Sequence, residues 1–355
     1  MTRAVFIMPA GRPPSGGDLY NRFLLRALNA EGFEFERRTL GTLATGKFPA
    51  GTELWVDSLY IPDLASANPF GPKDRLFFII HSLPSEDPGR TRREAAKLRG
   101  AEDRVFRGAS GFLVTGPRTR DVLRTRGHGG LPVLFVPPAP CVLPKSPRQA
   151  PRIFTGLIVS SLIRGKGVPA FLDALGRTIR RDDILRIRIA GRVDIEPETA
   201  AACLGATNAH PLLRRQVTHL GFVRPEKLAA EYAASSVLIS PSASETFGMA
   251  FHEARAFGLP VLALRAPYSE PYIEAGRNGL LFGSVAALAR GTLDLARRPE
   301  RLQALAAAAA ESRSPDAYTW IEAARSFLSQ RRRYAIFRAA ATAGQRPNRR
   351  RRNGG

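Results

Sequence analysis

Cysteine is nearly absent from this chain. Cys141 and Cys203 are its only two in 355 residues, too few for a disulfide framework, and no Cys-x2-Cys spacing marks a structural metal site. That usage suits a reducing cytoplasm. No run of about 18 or more apolar residues occurs, so no transmembrane helix is expected. The apolar stretch at residues 4–8 is too short for a secretory leader, and Pro9 closes it. No Asp-x-Asp pair stands near a strand end, so the sequence offers no obvious seat for a divalent ion. Acid is scarce relative to base: 31 Asp and Glu against 53 Lys and Arg give a formal net charge of +22. Residues 331–355 contain nine arginines and no acid.

What is present is an alternation of two periodicities. The length suffices for two domains, and a hydrophobic content of 44% supports sizeable cores. In the first half, short buried strands are predicted at residues 4–8, 54–56, 76–80, 112–114 and 133–136, with helices at 19–31 and 119–126. Proline density at 137–152 interrupts the pattern. The alternation then restarts, with strands at 153–159, 184–190, 217–220, 237–240 and 260–264. Helices are predicted at 168–180, 225–234, 249–257, 302–310 and 316–329. This is the signature of an α/β protein with two Rossmann-like, doubly wound domains facing across a cleft. The expected boundaries are 1–145 for the first domain, 146–152 for a linker and 153–315 for the second domain. A helix at 316–330 is expected to pack back on the first domain, ahead of a basic, disordered tail at 331–355.

The densest chemistry lies between residues 240 and 264. A β-branched strand at 237–240 leads through Pro241 to Glu245, then Phe247, Gly248 and Met249 at the start of a helix that contains Glu253. Gly258 and Pro260 stop it. A helix amino terminus at the carboxyl end of a strand presents free N–H groups and a favourable dipole to an anion. Gly248 has no side chain to block close approach. Glu253, one to two turns in, is suited to a vicinal diol, and Glu245 stands on the other side of the phosphate position.

Other candidates sit at equivalent points. Gly16 and Gly17 follow the first strand in a glycine-rich loop, a phosphate-approach geometry. His81 ends the strand at 76–80, where open α/β sheets collect ligands. Arg164 and Lys166 flank glycines after the first strand of the second half, suited to neutralising a diphosphate. His128, His210, His219 and His252 have no comparable setting and are read as structural.

The 240–264 run resembles the Glu-x7-Glu signature of the retaining, nucleotide-sugar-dependent glycosyltransferases of the GT-B fold, family four (the group 1 glycosyltransferases). Pro241, Ser242, Glu245, Phe247, Gly248, Glu253, Ala254, Ala256, Gly258, Pro260 and Val261 stand in register with that family's pattern. Lys166, Gly167 and Leu162 match a second motif, but its Gly-Arg pair is replaced by Ser160-Ser161. The resemblance implies a GT-B enzyme that moves a hexosyl group from a nucleotide-diphospho-sugar to a glycan or lipid-linked acceptor with retention of configuration. It implies no cofactor and no metal. By the same resemblance Glu245 and His81 orient the sugar, Lys166 and the Gly248 helix hold the diphosphate, and Glu253 holds the ribose. Phe247, Met249, Gly16, Gly17 and Arg164 complete the donor site, and Val223 lies in the loop that packs on the base. Arg164 is a candidate to reach the oxygens served by the arginine missing at Ser161; with no replacement, low donor affinity or inactivity is the alternative.

The basic charge has three readings: an anionic membrane surface at the cytoplasmic face, nonspecific nucleic acid, or plain solubility. The absence of an RNA-binding motif or aromatic platform argues against a specific nucleic-acid partner. The membrane reading, a cytoplasmic protein held peripherally, is favoured. The rival functions are a nucleotide-sugar epimerase on the same fold and a noncatalytic nucleotide-sugar or nucleic-acid binder.

Overall fold

The computed structural model describes the chain except residues 1–2, 11–14, 44–47, 72–73, 146–147, 149, 244, 267, 271, 313–317 and 345–355. Part of the expected linker and the end of the basic tail therefore lie outside the described residues.

Among the described residues, twelve parallel strands form two six-stranded sheets. The first holds β1 (Ala4–Ile7), β2 (Glu36–Arg38), β3 (Glu53–Asp57), β4 (Arg75–Ile80), β5 (Ala109–Val114) and β6 (Val133–Phe135), in the order β2-β1-β3-β4-β5-β6. Its helices are α1 (Gly16–Ala30), α2 (Ile61–Ser66), α3 (Arg92–Phe106) and α4 (Pro117–Leu123). The second sheet holds β7 (Phe154–Val159), β8 (Leu185–Ala190), β9 (Val217–Gly221), β10 (Val237–Ser240), β11 (Val261–Leu264) and β12 (Gly279–Phe282), in the order β12-β11-β10-β7-β8-β9. Around it lie α5 (Val168–Gly176), α6 (Pro197–Ala209), α7 (Pro211–Gln216), α8 (Pro225–Ala233), α9 (Met249–Ala256), α10 (Val285–Arg297) and α11 (Pro299–Glu311). The chain closes with α12 (Trp320–Gly344).

The central strands are apolar without alternation because helices cover both faces of a parallel sheet. Each sheet accordingly carries one apolar cluster per face. In the first domain Trp55 stacks on Phe77 with ring centroids 4.5 Å apart, and Phe327 of α12 meets Trp55 edge-on at 5.0 Å.

α12 thus returns to the first domain. It lies along α1, and Gln330 both donates to and accepts from the backbone of Phe135 on β6. This corrects the expected tail. Residues 331–344 continue the helix, and Arg331 is bonded to buried Glu53 at 2.6 Å. Basic charge in the first domain is also partly internal: Arg126 holds buried Glu102 and neighbouring Asp103, each at 2.6 Å.

Sheet order fixes where a ligand can sit. In each sheet the connections reverse direction once, between β1 and β3 and between β7 and β10. Loops at the carboxyl ends of the two flanking strands diverge there and leave a crevice. The four loops so defined carry Gly16 and Gly17 (after β1), Asp57 (closing β3), Lys166 (after β7) and Glu245 (after β10).

Candidate active site

The glycine pair belongs to a helix rather than the expected loop. Ser15 caps α1 by accepting from the Asp18 N–H, while the Asp18 carboxylate accepts from the Ser15 N–H at 2.8 Å. Gly16 and Gly17 therefore form the first turn, where backbone N–H groups are free of intrahelical partners. A methyl group on Gly16 would stand 3.4 Å from Met249 Cε, at the first residue of α9 in the other domain. The first residues of two helices, one from each domain, thus come together across the cleft.

α9 starts as the sequence predicts. Gly248 is its cap with φ of +74°, a left-handed conformation, and a methyl there would press on the Phe251 ring at 2.8 Å. The loop before it abuts the first domain, since a side chain on Gly116 would overlap the Thr246 carbonyl. Phe247 stacks on His252, centroids 4.5 Å apart, with Tyr272 alongside. Burial, and then the charge of Arg255, push His252 down to about 4, so this ring is an uncharged platform.

Lys166 and Glu245 are brought together directly: Lys166 Nζ donates to Glu245 Oε1 at 2.6 Å. Gly167 permits this loop, with φ of +66° and no room for a side chain against the Pro241 carbonyl. The roles separated by the resemblance, charge for one and sugar for the other, are here held in one ion pair.

Arg164 does not take the place of the missing arginine in this conformation. Its Nη1 donates to the Gly89 carbonyl of the first domain at 3.3 Å, and its N–H donates to Glu196 at 2.8 Å. Arg90 reaches Glu196 at 3.6 Å, and Gly165 lies against Asp87. These contacts clasp the 164–166 loop to the first domain.

Glu253, the residue expected to hold the ribose, is buried, 4% exposed. Tyr232 donates to its Oε2 at 2.7 Å and the Cys141 N–H to its Oε1 at 3.2 Å. Burial outweighs these bonds and lifts its pKa to about 7. It braces α9 against α8 and against the chain that crosses between the domains. Val223 follows Gly221, which has φ of +65°, and packs half-buried on the same core.

His81 stands at the end of β4 as expected, with a partner that sequence reasoning missed. Its Nε2 lies 3.3 Å from Oδ2 of fully buried Asp57, and Asn21 of α1 donates to the same carboxylate. Burial raises the pKa of Asp57, but the nearby His81 ring, with the Leu59 N–H and Asn21, outweighs it and holds the carboxyl below its ordinary range. The signal was available, because Asp57 ends an apolar strand just as His81 does. The His81 ring also packs on α1: a methyl on Gly17 would stand 2.7 Å from its Cδ2. Among the described residues no three His, Cys, Asp or Glu cluster to hold a metal ion.

Two facing Rossmann-like domains with the site in the intervening cleft define a GT-B protein. Solved structures agree on the fold. Sucrose-phosphate synthase from Thermosynechococcus elongatus superposes with a TM-score of 0.71 at 18% identity, covering 96% of this chain and 100% of that one. HepE from Anabaena, in complex with UDP and glucose, gives 0.69 at 18% identity over 94% of this chain and 100% of that one.

Residues 153–298, within the second domain, match the family model described as "Glycosyl transferases group 1". A D-inositol 3-phosphate glycosyltransferase of Streptomyces scabiei is 33% identical over 192 residues, 48% of this chain and 42% of its own length. An alpha-monoglucosyldiacylglycerol synthase of Acholeplasma laidlawii is 28% identical over 101 residues, 28% of this chain and 25% of its own length. The matched segment spans less than half the length of each of these two curated relatives.

Proposed function

We propose that this chain is a glycosyltransferase that moves a hexosyl group from a nucleotide-diphospho-sugar to a glycan or lipid-linked acceptor. The observation that carries the reading is the meeting of α1 and α9: the first residues of two helices from opposite domains come together where the Met249 side chain reaches Gly16, and both helix amino termini border one crevice. Each end carries about half a positive charge and a set of free N–H donors. That is a seat for a compact polyanion, and it stands beside Lys166 and Glu245.

The chemistry follows from where charge develops. As the glycosidic bond lengthens, negative charge accumulates on the departing diphosphate. The helix termini and Lys166 stabilise that charge more in the transition state than in the bound donor. Lys166 engages phosphate by exchanging its Glu245 partner for it, and this leaves Glu245 free to accept from a sugar hydroxyl. His81, fixed by Asp57 and by the backbone of α1, presents its ring at the same cleft. No side chain in the cleft is assigned as a covalent nucleophile, so same-face attack with retention of configuration is the mechanism proposed, with no metal and no cofactor.

Basic residues favour an anionic membrane surface as the place where a lipid-linked acceptor is met. Exposed Arg92, Arg93 and Arg107 on or beside α3 support this, as does the glycolipid synthase among the relatives. Among the described residues no helix is long and apolar enough to cross a membrane.

Incubation with a panel of uridine and guanosine diphospho-sugars tests the activity. Release of nucleoside diphosphate supports transfer. Appearance of an isomeric nucleotide sugar would make the chain an epimerase, and consumption of nothing in the presence of glycan and lipid acceptors would leave it a binder.

A further inference from the structure

A diphosphate in this crevice lacks counter-charge. The two helix ends together amount to about one positive unit, and Lys166 is already paired with Glu245 at 2.6 Å. Position 161, beside the lysine loop, is a serine.

Arg192 stands next to that gap. It follows β8, the strand paired with β7, and its carbonyl accepts from the Leu162 N–H at 2.8 Å. The preceding glycine lies so close that a side chain on Gly191 would overlap the Ser160 carbonyl. Arg192 is therefore laid against residues 160–162, on the path from β7 to Lys166. It is 6% exposed. Its Nε and Nη2 donate to Asp194 Oδ1 and Oδ2 at 2.9 and 2.6 Å, which fixes the plane of the fork. Its Nη1 bonds to no described residue. Asp18, on the first turn of α1 in the other domain, is close enough for its charge to act on this guanidinium. Arg192 thus lies at the cleft, near the amino terminus that carries Gly16 and Gly17.

We propose that Arg192 is the second cation of the donor site, taking the diphosphate oxygens with the free edge of its guanidinium while Asp194 orients it. The inference rests on the donor reading above. A planar fork with two donors already fixed and the others unused suits phosphate better than a point charge would. The bland alternative is a structural ion pair that closes the β8–α6 turn. Asp194 is half exposed, so such a pair alone would contribute little.

The test is isothermal titration of the full chain with UDP, GDP, inorganic pyrophosphate and uridine, for wild type, R192Q, R192K and D194N, with R181Q as a remote charge control. Arg181 is exposed and precedes the opposite end of β8. Arg192→Gln is expected to weaken the tighter of UDP and GDP, and pyrophosphate, by about 10- to 100-fold, a loss of about 1.4–2.7 kcal/mol, with uridine binding unchanged. R192K should recover part of the loss, and D194N, which keeps the cation but loses its orienting partner, should weaken pyrophosphate binding by less than R192Q does, with thermal stability unchanged. If R192Q instead binds these anions within twofold of wild type, or if R192Q and D194N lose affinity and thermal stability together, the assignment is overturned and the pair is structural. Should wild type itself bind no diphosphate, the donor reading falls, and this inference with it.

Discussion

Lys166 Nζ and Glu245 Oε1 are 2.6 Å apart, each side chain about one-fifth exposed, and they join the loops of the two strands that flank the switch point of the second sheet. The pair makes the cation and the carboxylate interdependent. A donor phosphate competes with Glu245 for Lys166, and a sugar hydroxyl competes with Lys166 for Glu245.

That competition gives opposite signs for the two partners. Lys166→Ala should weaken nucleoside-diphosphate binding by about tenfold or more, near 1.4 kcal/mol. Glu245→Gln releases the lysine and should leave that binding unchanged or tighter while turnover falls by about 100-fold. Calorimetry alongside single-turnover assays measures both. Equal weakening of binding by the two substitutions would make the pair merely structural.

Gly17 yields a prediction whose sign runs against helix propensity. Alanine in an exposed first turn ordinarily stabilises by up to about 1 kcal/mol over glycine. Here the added methyl meets the His81 ring at 2.7 Å. Gly17→Ala should therefore displace His81 and lower kcat by about tenfold or more, with a melting temperature no higher than that of wild type. A more stable variant with normal turnover would show that the ring position does not matter.

Glu253 couples stability to pH. Its folded pKa of about 7 lies above the ordinary value of 4.5. Its contribution is therefore fully favourable below about pH 4.5 and is lost as pH rises through 7, a change on the order of 3 kcal/mol if all other groups are constant. Glu253→Gln keeps an acceptor for the Cys141 N–H and a donor for Tyr232. It should flatten this part of the stability profile between pH 5 and 8, measured by denaturant titration. An unchanged profile would mean that Glu253 is ionised throughout.

The return of α12 is a packing claim. Phe327 is fully buried against Phe6, Trp55 and Phe33. Phe327→Ala should cost about 3–5 kcal/mol and lower the melting temperature of the first domain. A loss under 1 kcal/mol would place the helix elsewhere in solution.

The apolar strands and the start of α9 were legible in the sequence because their signals are local: β-branched runs, a turn after Ser240, a glycine before a helix. Seven strands and helices escaped, β2, α2, α3, α6, α7, β12 and α10, three of them for plain physical reasons. β2 is three polar residues at a sheet edge, α3 is mostly charged, and α6 is rich in alanine without a clear apolar stripe. The site candidates at strand ends were legible for the same reason the crevice exists. Their partners were not, because Asp57 with His81, Tyr232 with Glu253, and Glu53 with Arg331 lie 24, 21 and 278 residues apart and meet only through packing. The burial of Glu253 was equally hidden, since spacing along a helix says which face a residue shares and not what covers that face.

The most direct measurement is the fate of a nucleotide-diphospho-sugar panel incubated with the full chain and mixed glycan and lipid acceptors, read by mass spectrometry. The account predicts release of one nucleoside diphosphate, transfer of its sugar with retained configuration, and near-complete loss of both in the Lys166→Ala variant. Intact donors, an isomerised donor, or transfer that survives Lys166→Ala would contradict it.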